Sequence, residues 1–129
     1  MIVDSSAVVA ILLEETGHGE LLDALSSKSH TGIGASTLAE TGIVLMARRG
    51  VPGRAALSRF IEEADLVVIP FGKHHWPVAL DAFSRFGKGR HPASLNFGDC
   101  MTYAIAEIAG EPLLCVGEDF ARTDLELVL

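Results

Sequence analysis

The chain holds only two cysteines, one tryptophan and one tyrosine among 129 residues. Cys100 and Cys115 stand apart, with no CxxC or His-rich spacing around either. That argues against a disulfide framework and against a thiolate zinc site, and it sets a reducing cytoplasm as the expected compartment. Long apolar runs are missing too. The longest uninterrupted one, Ala7 to Leu13, has seven residues, against the roughly 20 that a membrane helix needs. No basic start precedes it and Asp4 interrupts the N-terminal stretch, so neither a secretory signal nor a membrane association is expected. Positive charge is scarce: 10 Lys and Arg stand against 17 Asp and Glu, a net charge of −7. A protein that coats nucleic acid through general positive charge is not expected. There is no GxxxxGK[ST] phosphate loop and no Gly-x-Ser-x-Gly elbow, which removes the commonest nucleotide-hydrolase and serine-hydrolase readings. His74 and His75 are adjacent and so point to different helix faces, and His18, His30 and His91 are scattered. No histidine pair for zinc results.

What remains is a globular composition, 49% apolar and 21% charged, in a length suited to one domain over residues 1–129. Its charge is unevenly spread. From Arg48 to Arg90 lie eight basic and four acidic residues, a net +4, which leaves −11 for the rest. A basic middle beside acidic ends can hold a polyanion at one place and a cation at another, although a solvated helix surface explains the same counts.

Short β-type runs alternate with helical patterns. Ile2-Val3 opens as a buried strand, and a helix follows through the Ala7–Glu15 run with Asp4 at the junction. His18 to Ser26 reads as helix and His30 to Gly34 as a weak strand. A helix then starts at Ser36 or Thr37 and ends near Gly50. Val51-Pro52-Gly53 reads as a break before a helix from Arg54 to Ala64. Leu66 to Ile69, closed by Pro70, is the clearest strand. Lys73 to Phe86 is helical, Gly87 to Pro92 is a basic loop, and Asp99 caps a helix to about Ala109. Leu113 to Val116 is a buried strand, and Leu125 to Leu129 is a candidate for a last short one. Phe60, Trp76, Phe83 and Phe86 stand mostly at helical spacing, which suits a core or a subunit interface better than base stacking. This order predicts an α/β fold, a three-layer α/β/α sandwich around a mainly parallel sheet of four to five strands covered on both faces.

Such sheets bind ligands at the carboxyl ends of their strands. Asp4 follows the first strand directly, and Glu40 lies early in the helix after the second. Glu118 and Asp119 follow the strand ending at Val116, and Asp99 begins the helix leading into that strand. Each has a local explanation. Asp4 and Asp99 can be N-caps, Thr37-Leu38-Ala39-Glu40 matches a capping box, and Glu118-Asp119 can be a polar turn. Together they are harder to dismiss, because two carboxylates about 4 Å apart repel by roughly 4 kcal/mol at an effective dielectric near 20. A positive group should hold them. An all-oxygen set suits Mg²⁺ or Mn²⁺ better than zinc, and such an ion supports attack of water on phosphorus. The basic middle would then track a nucleic-acid backbone beside the cluster.

The runs Met1-Ile-Val-Asp4-Ser5-Ser6-Ala7, Glu40 after Ala35-Ser36, Leu95-Asn96-Phe97-Gly98-Asp99-Cys100 and Gly117-Glu118-Asp119-Phe120 resemble the PIN domain. More narrowly they resemble the VapC toxins of bacterial toxin–antitoxin pairs. The resemblance implies a Mg²⁺-dependent ribonuclease (Mn²⁺ able to substitute) inhibited by a cognate VapB-like antitoxin. It carries the catalytic acids onto Asp4, Glu40, Asp99 and, chosen over its neighbour Glu118, Asp119. Asp4 and Asp99 become the metal ligands. Ser6 takes the place of a small hydroxyl residue near the metal, and Asn96 a helper's place beside Asp99. Leu12, Leu13, Leu21, Leu22 and Leu25 either line a groove for an amphipathic antitoxin segment or fill the core, and a twofold homodimer is the default assembly. Two other functions share these features. An aspartate-based phosphatase or phosphotransfer domain also gathers acids at a sheet edge, but no Asp-x-Asp follows the first strand and no lysine follows Val116. A binding module that keeps the fold and has lost catalysis is the other.

Overall fold

A computed structural model describes all 129 residues. The elements run β1 (Ile2–Val3), α1 (Ser5–Leu12), α2 (His18–Ser26), β2 (Thr31–Gly34), α3 (Ala35–Arg49), α4 (Val51–Glu63), β3 (Leu66–Ile69), α5 (His75–Phe86), α6 (Phe97–Ala109) and β4 (Leu113–Leu114). A single 3₁₀ turn, Phe120–Arg122, follows. The strands form one sheet in the order β3-β2-β1-β4, and every pairing is parallel. Parallel pairing forces every strand's carboxyl end to one edge, and that edge is where the site is built.

Alternation along the two central strands divides the core into layers. Val3 and Leu114 turn to one face, against Val8 and Ile11 of α1, Leu25 of α2, Leu45 of α3 and Phe60 of α4. Ile2 and Leu113 turn to the other, against Ala82 and Phe86 of α5 and Tyr103 and Ile105 of α6. The three-layer α/β/α sandwich expected from the alternation of runs is the observed architecture. It has four strands. The fifth candidate near the C-terminus is reduced to a bridge between Leu113 and Leu127, closed by Leu113 N–H to Glu126 O and Val128 N–H to Leu113 O, each 2.9 Å. Coverage of both faces fails at one margin. β3 is an edge strand whose Val67 and Val68 are exposed.

Several local expectations are corrected. Val51-Pro52-Gly53 is the first turn of α4, not a break. Pro52 occupies the start of the helix, where its missing N–H has no partner to lose. Only Gly50, at φ +66°, separates α3 from α4. The Thr37–Glu40 capping box is absent, since α3 begins at Ala35 with Gly34 as N-cap, and Glu40 lies more than a turn inside the helix. The helix over Phe97–Ala109 is capped by Asn96, with Asp99 three residues on. Among the leucines of α1 and α2, Leu21 and Leu25 belong to the core, Leu12 and Leu13 are half-buried against it, and Leu22 is exposed. The aromatics divide as well, Phe60 and Phe86 buried and Trp76 and Phe83 exposed. Two histidines serve the backbone: His75 Nδ1 accepts from Gly72 N–H and His91 Nδ1 from Ala93 N–H, both at 3.0 Å.

The α3–α4 corner depends on Gly53. A Cβ there would lie 2.4 Å from the Leu45 carbonyl oxygen and 3.1 Å from Arg49 Cβ. A backbone carbonyl inside a helix cannot yield, so Gly53→Ala must push α4 away from α3. The expected loss is about 1–3 kcal/mol of unfolding free energy, despite the gain in helix propensity. Urea denaturation checks it, and an alanine variant as stable as the parent would show that the corner adjusts freely.

Candidate active site

Asp4 is the residue after β1 and the N-cap of α1, with φ −87° and ψ 159°. Its capping and functional readings therefore coincide in one side chain. It is 4% exposed, a costly place for a carboxylate without donors. Three donors meet it. Ser6 N–H and Ser6 Oγ–H donate to Oδ2 at 3.1 and 2.6 Å, and Thr102 Oγ–H donates to Oδ1 at 2.8 Å. A carboxylate has about four acceptor positions, so the two Ser6 donors fill Oδ2 and Oδ1 keeps one for a ligand.

These donors tie the edge together. Ser6 Oγ accepts from Val116 N–H at 3.0 Å, which fixes the chain leaving β4. Thr102 has spent its hydrogen on Asp4, so in its 2.9 Å contact with Thr37 it must accept, and Thr37 donates. Thr41 Oγ–H returns to the Thr37 carbonyl at 2.7 Å. Thr37, Thr41 and Thr102 are all buried. The hydroxyls thus join α3, α6, β1 and the segment after β4. Sequence reasoning passed over Thr37 in this role and over Thr102 altogether. The available signal was spacing, since Thr102 is three residues after Asp99 and shares its face of α6.

Asp99 sits in a reciprocal capping box. Its N–H donates to Asn96 Oδ1 at 2.9 Å, and its Oδ2 accepts from Asn96 N–H at 3.1 Å. Oδ1 takes no protein donor. Burial pushes the Asp99 carboxyl up to about 6, against the Asn96 N–H that favours its charge, and the nearby charges of Asp4, Asp119 and Glu40 raise it further. Burial and the same acids, Asp4, Asp99 and Asp119, raise the Cys115 thiol to about 12, which keeps it protonated and inert. The fold therefore gathers Asp4, Glu40, Asp99 and Asp119 at one edge, and the turn that presents Asp119 is anchored from below. Asp124 accepts from Tyr103 Oη at 2.7 Å and from Arg85 at 2.9 Å. Those two partners hold its carboxyl below the ordinary range.

Asp4 and Asp99 offer hard oxygen donors with free lone pairs, and Asp99 is raised first by burial and then by the neighbouring acids. That chemistry fits a hard divalent cation. As they stand, no three His, Cys, Asp or Glu side chains enclose an ion. Since Asp4 relies on its donors, Thr102→Val should cost about 1.5–3 kcal/mol, the range for a hydrogen bond to a charged group. Thr102→Ser keeps the donor and gives up one methyl, a loss of about 0.8 kcal/mol. Denaturant unfolding of both variants tests the point. Equal losses would mean that the hydroxyl does not hold Asp4.

Comparison with known proteins bears on the same edge. The PIN domain family profile matches residues 1–126. The chain is 49% identical over 127 residues to ribonuclease VapC36 of Mycobacterium tuberculosis, covering 98% of this chain and 91% of that protein. It is 42% identical over 130 residues to ribonuclease VapC28 of the same organism, covering 100% and 98%. The crystal structure of Mycobacterium tuberculosis VapC20, described as a sarcin-ricin-loop-cleaving toxin, superposes with a TM-score of 0.79 at 19% identity over 96% of this chain and 95% of that one. That last likeness concerns the fold alone. With a family match along almost its whole length and relatives of this identity, the chain belongs to the PIN-domain family and, within it, to the VapC group.

Proposed function

We propose that this protein is the toxin of a toxin–antitoxin pair, acting as a divalent-metal-dependent endoribonuclease, with residues 1–129 forming one nuclease domain. The observation that carries the reading is the convergence of Asp4, Glu40 and Asp119 on Asp99 at the carboxyl edge of the sheet. Relatives named as ribonucleases support it. Asp4 and Asp99 would hold Mg²⁺, for which Mn²⁺ can substitute. The cation supplies positive charge against the phosphate oxygens and acidifies the attacking water. Asn96 orients Asp99 through the capping box, and Ser6 and Thr102 orient Asp4. Glu40 and Asp119 complete the acceptor set that positions the water and takes its proton. Lys88 and Arg90 lie in the loop before α6, and Arg122 reaches back to the Pro92 carbonyl at 3.4 Å. This basic rim would follow the RNA backbone.

The partner reading follows from the same charges. An acid cluster in a chain of net charge −7 attracts a cationic side chain, and an arginine from a VapB-like antitoxin would bind a carboxylate bidentately. The assembly is a homodimer in this reading, and the compartment is the cytoplasm. No helix is long and apolar enough to cross a membrane.

Purified protein should cleave RNA with Mg²⁺ or Mn²⁺ and stop in excess EDTA, leaving 5′-phosphate and 3′-hydroxyl ends. Asp4→Asn, Glu40→Gln, Asp99→Asn and Asp119→Asn should each lower the rate by at least about 100-fold, while Glu118→Gln stays within a few-fold. Cleavage that survives EDTA, or a larger loss at Glu118 than at Asp119, would overturn the metal or the assignment of the fourth acid. Co-expression with the neighbouring antitoxin-like gene should give an inactive complex, and sizing of the free protein should give a dimer.

A further inference from the structure

The glycine before Asp99 is not demanded by its backbone. Gly98 lies in the first turn of α6, where any residue can stand, and its φ is not positive. Yet the place where its Cβ would be is taken. An atom there would lie 2.1 Å from Glu40 Oε2, 2.9 Å from Glu40 Cδ and 3.1 Å from Glu40 Oε1. All three nearest atoms belong to one carboxylate, with no backbone among them. Glu40 comes from α3, and its carboxylate rests on the bare backbone at the opening of α6, next to Asp99. The first turn of a helix has unsatisfied N–H groups and a partial positive charge, a favourable seat for a carboxylate that no side chain holds. Asp4 and Asp99 are each held by hydrogen bonds, whereas Glu40 receives no side-chain or backbone donor in the hydrogen-bond network. The missing Cβ leaves the space that its carboxylate fills.

We infer that Gly98 is a positioning residue for Glu40, leaving the gap at the start of α6 that admits the Glu40 carboxylate to the acid cluster. The inference rests on the carboxylate-site reading above. Its distinguishing consequence is a split between stability and function. An alanine in the first turn of α6 meets only a movable side chain end, and alanine favours helix more than glycine does. Gly98→Ala should therefore fold as well as the parent while displacing Glu40.

The test compares the parent, Gly98→Ala, Glu40→Gln and the double variant in three readouts: melting temperature without metal, Mn²⁺ affinity by calorimetry, and RNA cleavage rate. Gly98→Ala should melt at the parent's temperature or above it, bind Mn²⁺ at least several-fold more weakly and cleave at least tenfold more slowly. In the Glu40→Gln background the same alanine should add less than twofold to the loss in cleavage, because the group it displaces no longer acts. A Gly98→Ala protein with parental affinity and rate, where Glu40→Gln has lost activity, would overturn this inference and leave the site standing. A fully active Glu40→Gln protein would overturn the site reading itself. A melting temperature well below the parent's, with losses that add in the double variant, would show that Gly98 serves α6 packing instead.

Discussion

A carboxylate with 4% exposure at the end of the central strand β1 sets terms for everything around it. Asp4 follows the shortest possible route from strand to helix, so its side chain is carried inward with the sheet edge. Left without donors there, it would cost several kcal/mol. Ser6 answers from the first turn of α1 and Thr102 from the middle of α6, and each then has to be placed by something else. Ser6 is placed by its link to Val116, and Thr102 by Thr37. The order of the chain around the sheet edge thus follows from satisfying one buried charge. The same bonds stiffen the site that the charge would serve.

Like charge is the opposing constraint. Bringing Glu40 and Asp119 toward Asp4 and Asp99 costs folding energy, and Asp99, raised first by burial, is raised further by those charges. Three features offset it without neutralising it. The capping box fixes Asp99 at the start of α6, Asp4 caps α1, and the Gly98 gap seats Glu40 on a helix opening. Each places an acid where helix dipoles are positive. Such features offset repulsion by about 1 kcal/mol each, short of the roughly 4 kcal/mol that a close pair costs. The remainder is a standing attraction for a cation, whether a metal ion or an arginine.

Much of this arrangement was legible before any coordinates. Ile2-Val3 and Leu66–Ile69 read directly as strands because strands of a parallel sheet are short apolar runs, even though Val67 and Val68 end up exposed at the edge, and Gly50 correctly marked the end of α3. The placement of Asp4, Glu40, Asp99 and the Glu118-Asp119 pair on one edge followed from strand direction, and the choice of Asp119 within that pair from the family resemblance. Three kinds of information were not in the runs. Val51-Pro52-Gly53 looks like a break, because proline and glycine punctuate loops, yet proline is at home in a helix's first turn. Thr37-Leu38-Ala39-Glu40 satisfies a capping pattern that the fold does not use, since α3 starts two residues before Thr37. Thr102 is hidden by its surroundings: among Met101, Tyr103 and Ala104 a threonine passes for core filling, and only its 98-residue separation from Asp4, closed to 2.8 Å, reveals the bond.

The choice between capping and catalysis, posed for each acid in the sequence, turns out to be a false opposition for two of them. An N-cap must have its side-chain oxygen near the helix opening, and in a parallel α/β fold the openings of helices that follow strands lie at the carboxyl edge. Capping therefore delivers carboxylates to the ligand-binding edge as a consequence of topology. Asp4 caps α1 with Oδ2, Asp99 closes the capping box of α6 with its own Oδ2, and each keeps acceptor capacity on Oδ1. Glu40 is the exception that separates the two roles. It lies too deep in α3 to cap that helix, satisfies no amide of its own, and stands against the opening of a different helix. A carboxylate placed at such a point, beside the other acids, has no task in the capping or hydrogen bonding of its own helix.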